Sequence, residues 1–292
     1  MFCFVYIILL CNILLFRIGF GLKQDEVTDT ICDCSCDVQI DIVKHFLKDL
    51  EDIRKCTDKM SNIEAQLLRN RASKPSSCME AAANSLESGI YKIQIKNVNV
   101  TDVEVFCEEG VDLGGWLVIQ RRQSGSVDFK RDWHDYKDGF GTLTGNYWIG
   151  MEKLHALTNN CEQELYIQMK RRNGQEYYAK YSKFLIGNEV EIYALKKLGD
   201  YSGNAGDSLR KHLGMKFSTY DRDNDGASRN CALIFEGGWW FDDCYRSHLN
   251  GVYGDDNAGV NWRSIEEDES LSFAQMLIRP NHNCLRRSML RN

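Results

Sequence analysis

The chain has 292 residues, enough for about one or two domains, and carries 36 basic against 42 acidic side chains for a net charge of −6. Its Lys and Arg are scattered among carboxylates, so the basic face that grips a phosphate backbone is missing, and bulk charge excludes nucleic acid as a partner. Hydrophobic content of 43% with 11% aromatics supplies a core and excludes wholesale disorder.

Residues 1–21 read as a signal peptide. Met1 to Phe16 is almost uniformly apolar, and Gly19-Phe20-Gly21 gives the small-x-small pattern of a cleavage site. The rival reading is a membrane anchor, but the stretch is shorter than the ~20 residues of a bilayer span and contains Asn12. The first basic residue, Arg17, follows the apolar run instead of preceding it. The expectation is a secreted, extracellular chain starting near Leu22, with no membrane insertion after cleavage. The 12 cysteines and the lack of any CxxC pair agree, since they point to disulfides in an oxidising compartment. Cys3 and Cys11 leave with the signal.

Residues 22–68 form a Cys-rich segment and a stalk. From Val38 to Leu68 there is no Gly or Pro, and apolar side chains recur at Val43, Phe46, Leu50, Ile53, Met60, Ile63 and Leu67. That spacing is close to a coiled-coil seam, interrupted at Thr57. A plain amphipathic helix is the alternative. Cys32-Asp33-Cys34-Ser35-Cys36 favours the coil. Alternate cysteines of an extended segment are badly placed to pair with their neighbours, but they pair readily across parallel chains. With Cys56 they are the interchain candidates of a covalent homo-oligomer.

Residues 69–77, with Pro75 and Ser76-Ser77, read as a linker. The head spans 78–284, followed by a tail over 285–292. Strands are predicted at Ile90–Ile95, Trp116–Arg121, Glu164–Met169 and Phe273–Ile278 from their β-branched and aromatic content between Gly, Asn and Asp. Short helices are predicted at Glu152–Leu157 and Asp207–Leu213.

Asp221-Arg-Asp223-Asn-Asp225-Gly226 is the densest run of carboxylates, and alternate Asp side chains on a turn suit a hard cation with oxygen ligands. It is not an EF-hand, because the position that loop reserves for a bidentate Glu holds Ala232. The bland reading is a solvated acidic turn. Downstream, Trp239-Trp240 stands inside the short loop from Cys231 to Cys244. Exposed, the indoles would suit a sugar; buried, they are core, the commoner fate of a Trp pair.

The segment Trp239-Trp240-Phe241, Cys244, Ser247 and Asn250-Gly251 resembles the signature of the fibrinogen C-terminal globular domain. Gly114-Gly115-Trp116, Gln120-Arg121-Arg122, Asp128-Phe129, Trp133, Tyr136, Gly139-Phe140-Gly141, Trp148-Ile149-Gly150 and Gly206-Asp207-Ser208-Leu209 follow the same family order. The match runs from Cys78 to Pro280, and the head is most similar to ficolins, tachylectins and invertebrate fibrinogen-related lectins. Tenascins and angiopoietins share the domain.

The resemblance implies an α+β head with a central antiparallel sheet and short helices, and disulfides Cys78–Cys107 and Cys231–Cys244. It also implies a Ca²⁺ held by the side chains of Asp223 and Asp225 and the main-chain carbonyls of Ala227 and Arg229, with Asp221 a neighbour. In ficolins and tachylectins an acetyl group enters a pocket beside the ion. Its counterpart here comprises Phe235, Asp243, Cys244 and Tyr245, with a cis peptide at Asp243–Cys244. Tyr245 departs from the frequent His, and the segment from Gly254 to Gly259 is short and lacks the closing aromatic. Cys161 and Cys284 fall outside the two-disulfide pattern; they pair with each other or stay free or interchain.

His134 and His155 read as structural, and no catalytic or metalloprotease spacing occurs. Asn99-Val100-Thr101 is a glycosylation sequon. The expectation is a non-enzymatic, calcium-dependent, lectin-like recognition protein for surface carbohydrate or acetylated groups in innate defence, multivalent through its stalk. The alternative is a signalling or adhesion ligand for a cell-surface receptor.

Overall fold

The computed structural model describes residues 44–45, 47–62, 74–95, 102–267 and 269–284. The expected signal peptide, Cys32, Cys34, Cys36, Asn99 and the tail lie outside them. Two units separate at Ser73 and Lys74.

In the first unit residues 47–62 are helical, in keeping with the absence of Gly and Pro from this stretch. The seam residues Leu50, Ile53 and Met60 are solvent-exposed on this single chain. Thr57 turns its hydroxyl back on the carbonyls of Ile53 and Arg54. Among the described residues Cys56 is the free cysteine, and it is exposed.

The second unit begins before the expected boundary. Lys74 pairs with Asp102, the Pro75 carbonyl accepts from Gln94, and Ser77 caps the helix Cys78–Ala81, so the last four residues of the expected linker belong to the head. Its strands are β1 Gly89–Ile93, β2 Val103–Glu108, β3 Trp116–Arg122, β4 Phe140–Gly141, β5 Tyr147–Trp148, β6 Gln163–Lys170, β7 Glu176–Ile186, β8 Leu195–Leu198, β9 Tyr201–Gly203, β10 Ser247–His248, β11 Asn261–Trp262 and β12 Phe273–Pro280. A ten-stranded sheet runs β1-β2-β3-β12-β6-β7-β8, with the short β4, β5 and β9 alongside, and β10 and β11 form a separate ribbon. Every named strand pair is antiparallel.

The period-two burial of β6 and β2 assigns the faces. Leu165, Ile167, Met169, Val103, Val105 and Cys107 are buried, and the residues between them are half-buried or exposed. The inward residues join the main core with Trp148, Phe217, Trp239, Trp240 and Trp262. A smaller cluster of Trp116, Val118 and Leu277 lies on the other face, so β3 and β12 are covered on both sides. Truncating any one of the buried indoles to Ala would cost roughly 3–5 kcal/mol.

Four strand expectations match β1, β3, β6 and β12. The helix expected at Glu152–Leu157 extends over Met151–Asn160, burying Met151, Leu154 and Leu157. Over Asp207–Leu213 only Arg210–His212 is helical, as a 3₁₀ turn. Sequence periodicity did not find the helices Trp133–Asp138 and Cys231–Ile234, which are too short to show it. Their N-caps, Asp132 and Asn230, accept from Asp135 and Leu233. The structure joins Cys78 to Cys107, Cys231 to Cys244 and Cys161 to Cys284, with Cα separations of 5.4, 5.7 and 5.6 Å.

Candidate functional site

The acidic turn is built by its own first carboxylate. Asp221 accepts from the Trp133 amide at 3.0 Å and from the Thr219 hydroxyl at 2.7 Å, which ties the turn to the helix Trp133–Asp138 and occupies this side chain structurally. Asp225 accepts from the Ala227 amide with Oδ1 and from the Cys231 amide with Oδ2, both at 2.9 Å. Asp223 accepts from the Asp225 amide at 3.2 Å.

Burial raises the pKa of Asp225, the two backbone amides oppose that shift, and the nearby Asp223 carboxylate adds to it. Two carboxylates thus face one another with one of them partly desolvated, an arrangement that a cation relieves. Among the described residues no donor reaches the carbonyls of Ala227 and Arg229, which leaves both oxygens open. Three or more His, Cys, Asp or Glu side chains do not converge on one point among the described residues. A cation at this turn would therefore take two carboxylates and fill its shell with carbonyls and water, an all-oxygen donor set that fits a hard cation such as Ca²⁺ and not a metal that needs thiolate or imidazole ligands.

The turn is stitched to the second cysteine loop. Gly226 donates to the Asp242 carbonyl at 3.3 Å, and Asp242 donates to the Cys244 carbonyl at 2.9 Å. The peptide bond Asp243–Cys244 is cis. Phe235 follows the helix Cys231–Ile234, and its ring meets that of Tyr245 edge to face at a centroid distance of 4.8 Å. Tyr245 also packs on His248 at 5.4 Å and lies under the Arg263 guanidinium at 5.5 Å. Phe235, Asp243, Cys244 and Tyr245 are thereby gathered at one place, and the tyrosine ring occupies the space beside Phe235.

Trp239 and Trp240 are fully buried and are core. Trp240 donates its indole N–H to the Tyr193 carbonyl at 2.8 Å. The supporting histidines are ones the sequence did not single out. His212 Nδ1 donates to the Trp240 carbonyl at 2.6 Å, while its Nε2 accepts from the amides of Arg246 and Ser247 at 3.2 Å. Burial pushes its pKa down to about 4. His248, buried and donating Nε2–H to the Phe235 carbonyl at 3.2 Å, is pushed down to about 3 by the same cause. Of the two expected structural histidines, His155 meets the Ile186 carbonyl at 3.2 Å, but His134 is an exposed helix residue 3.4 Å from Asp138. Also unforeseen were Leu233 (53% exposed) and Ile234 (41% exposed) on the short helix, with exposed Tyr220 on the turn. Only apolar residues in the polar stretch between the acidic turn and the double glycine could have drawn attention to them.

The family model described as the C-terminal globular domain of fibrinogen beta and gamma chains matches residues 74–281. The chain belongs to this family. The fibrinogen-like domain is 44% identical to chicken (Gallus gallus) Tenascin-R over 214 residues, which are 71% of this chain and 16% of that protein. It is 44% identical to human Fibrinogen C domain-containing protein 1 over 188 residues, 61% of this chain and 41% of the relative. The chain therefore spans a small part of the tenascins and less than half of the second relative. Among solved structures, the fibrinogen-like globe domain of human ANGPTL2 is similar with a TM-score of 0.68 at 41% identity, covering 71% of this chain and 99% of that one. A lamprey fibrin D-dimer complexed with the peptide Gly-His-Arg-Pro-amide has a TM-score of 0.65 at 30% identity, covering 84% and 90%.

Proposed function

We propose that this chain is a secreted extracellular recognition protein whose fibrinogen-like head docks on a cell-surface or matrix protein beside a bound Ca²⁺. Asp223 and Asp225 would hold the ion with the carbonyls of Ala227 and Arg229, and the ion would fix the turn that presents the docking surface. The observation that carries the choice of a protein ligand is the Tyr245 ring seated on Phe235 at 4.8 Å. Two aromatic rings meet where the resemblance would put an acetyl group, while Leu233 and Ile234 stand exposed on the helix just before Phe235. The lamprey relative's complex with a peptide supports the same reading. The stalk would make the protein multivalent, so heads of modest affinity hold one surface through avidity.

The lectin reading stands second. It rests on the gathering of Phe235, Asp243, Cys244 and Tyr245 beside the acidic turn, and it requires Tyr245 to swing away from Phe235.

Binding of the full chain to cultured cells separates the two. The protein-ligand reading predicts a calcium-dependent share of the binding, removed by chelation, that free N-acetylglucosamine leaves unaffected and that the double exchange Leu233→Glu, Ile234→Glu weakens at least about tenfold. Competition for that calcium-dependent share by the acetylated sugar would overturn it in favour of the lectin, and binding that chelation leaves wholly unchanged would remove calcium from the mechanism.

A further inference from the structure

The sheet face away from the main core carries a groove of about 520 Å³, within the ~300–1,000 Å³ of small-molecule sites. Its floor follows from strand register. A bulge in β3 sets an extra residue, Ile119, between the partners of Met276 and Leu277 on β12, Gln120 and Val118, and shifts the phase of β3. Gln120 and Arg122 consequently both reach inward to the Leu249 carbonyl, and Arg121 is left facing the groove. From neighbouring strands Gln275, Phe273, Gln168 and Lys170 face it as well.

These side chains are already held in place. Arg121 lies over the Phe106 ring at 4.4 Å and donates to the Leu143 carbonyl at 3.1 Å and to Gln275 Oε1 at 3.0 Å. Gln275 in turn donates to Gln168 Oε1 at 2.8 Å. Arg121 and Gln275 are 5% and 3% exposed. Among the described residues, the Gln168 amide nitrogen and the Arg121 Nη2 donate to nothing. Phe273 is half-buried and has no aromatic partner among those residues.

We propose that this groove is a carbohydrate site taking a short neutral oligosaccharide, separate from the calcium turn. Three observations select that class. β12 is hydrogen-bonded to β3 and β6, and β6 to β7, so no backbone ladder is open to an extended peptide, and side chains alone make the contacts. The cations Arg121 and Lys170 are balanced by Glu108 and Glu176, the latter ion-paired with Lys170 at 3.2 Å, so an anionic ligand gains no net attraction. A row of pre-ordered planar amide and guanidinium groups next to an unpaired aromatic ring suits a sugar, whose hydroxyls accept and donate along its rim while its C–H face stacks on the ring.

The full chain is tested on an array of neutral and sialylated or sulfated glycans, with an immobilised peptide library in parallel, each in calcium and in chelator. The expected result is retention on at least one neutral glycan, unchanged by chelation and by the double variant Asp223→Ala, Asp225→Ala. Gln168→Ala should weaken that binding roughly three- to tenfold, the size of one lost hydrogen bond, and Phe273→Ala should weaken it further. Both positions are partly exposed, and thermal melts that match wild type establish that the variants fold. Binding of no neutral glycan, preference for anionic glycans or peptides, loss on chelation, or indifference to Gln168→Ala would each overturn the proposal.

Discussion

His212 and His248 hold the second cysteine loop only as neutral imidazoles, because each uses a lone pair or a burial site that a proton would disrupt. Their folded pKa values, about 4 and about 3, lie below the unfolded value of 6.5. Between those limits the unfolded chain binds more protons, so stability is complete above about pH 6.5 and falls as the pH is lowered toward 4. The loss approaches roughly 1.4 kcal/mol per pH unit for each histidine. Thermal melts across that range should show the fall, with a shallower slope for His248→Gln. At the acidic turn, Ca²⁺ should stabilise the wild type by roughly 2.7 kcal/mol at a hundredfold excess over Kd, seen as a rise in melting temperature. Asp223→Ala with Asp225→Ala should abolish that rise, and an unchanged calcium response would remove the ion from this turn. The acidic turn was legible because alternate carboxylates form a local pattern, but the structural use of Asp221 by the Trp133 amide was not. The histidines were not, because their partners are main-chain groups up to 35 residues away.

Among the elements, the last strand matters most. β12 closes the sheet by entering between β3 and β6, and its end is fastened by Cys161–Cys284 across 123 residues. Replacing both cysteines by Ser should lower stability by roughly 2–5 kcal/mol, measured by denaturant unfolding. At the start of the Trp pair, Gly238 lies where an added Cβ would stand 2.8 Å from the rings of Phe217 and Tyr136, and its amide donates to the Tyr136 hydroxyl. Gly238→Ala should cost roughly 1–3 kcal/mol by overpacking, seen as a lower denaturation midpoint with unchanged slope. The sequence announced β3, β6 and β12 through composition. It could not announce the bulge at Ile119 of β3 that turns Arg121 outward, because the phase shift arises only when the strands pair.

For the whole molecule the stalk helix would set the valence if the expected coil forms. Its exposed Leu50, Ile53 and Met60 have no cover on a single chain, and the coil expected from their spacing would bury them against copies of itself. The 33.6 kDa chain should migrate as a covalent multimer on a non-reducing gel and collapse to monomer with thiol. Exchanging Cys32, Cys34, Cys36 and Cys56 for Ser should give the monomer without reductant.

The sequence alone determined the membership of the head, the presence of four of its main strands and the acidic turn, because these are patterns of neighbouring residues. Tertiary structure decided the fate of the individual side chains. It buried Trp239 and Trp240, seated Tyr245 on Phe235, joined Cys161 to Cys284 and opened a polar groove on the outer sheet face. The physical reason is that burial, register and ring packing depend on partners brought together by the antiparallel sheet from strands more than a hundred residues apart, such as β3 and β12.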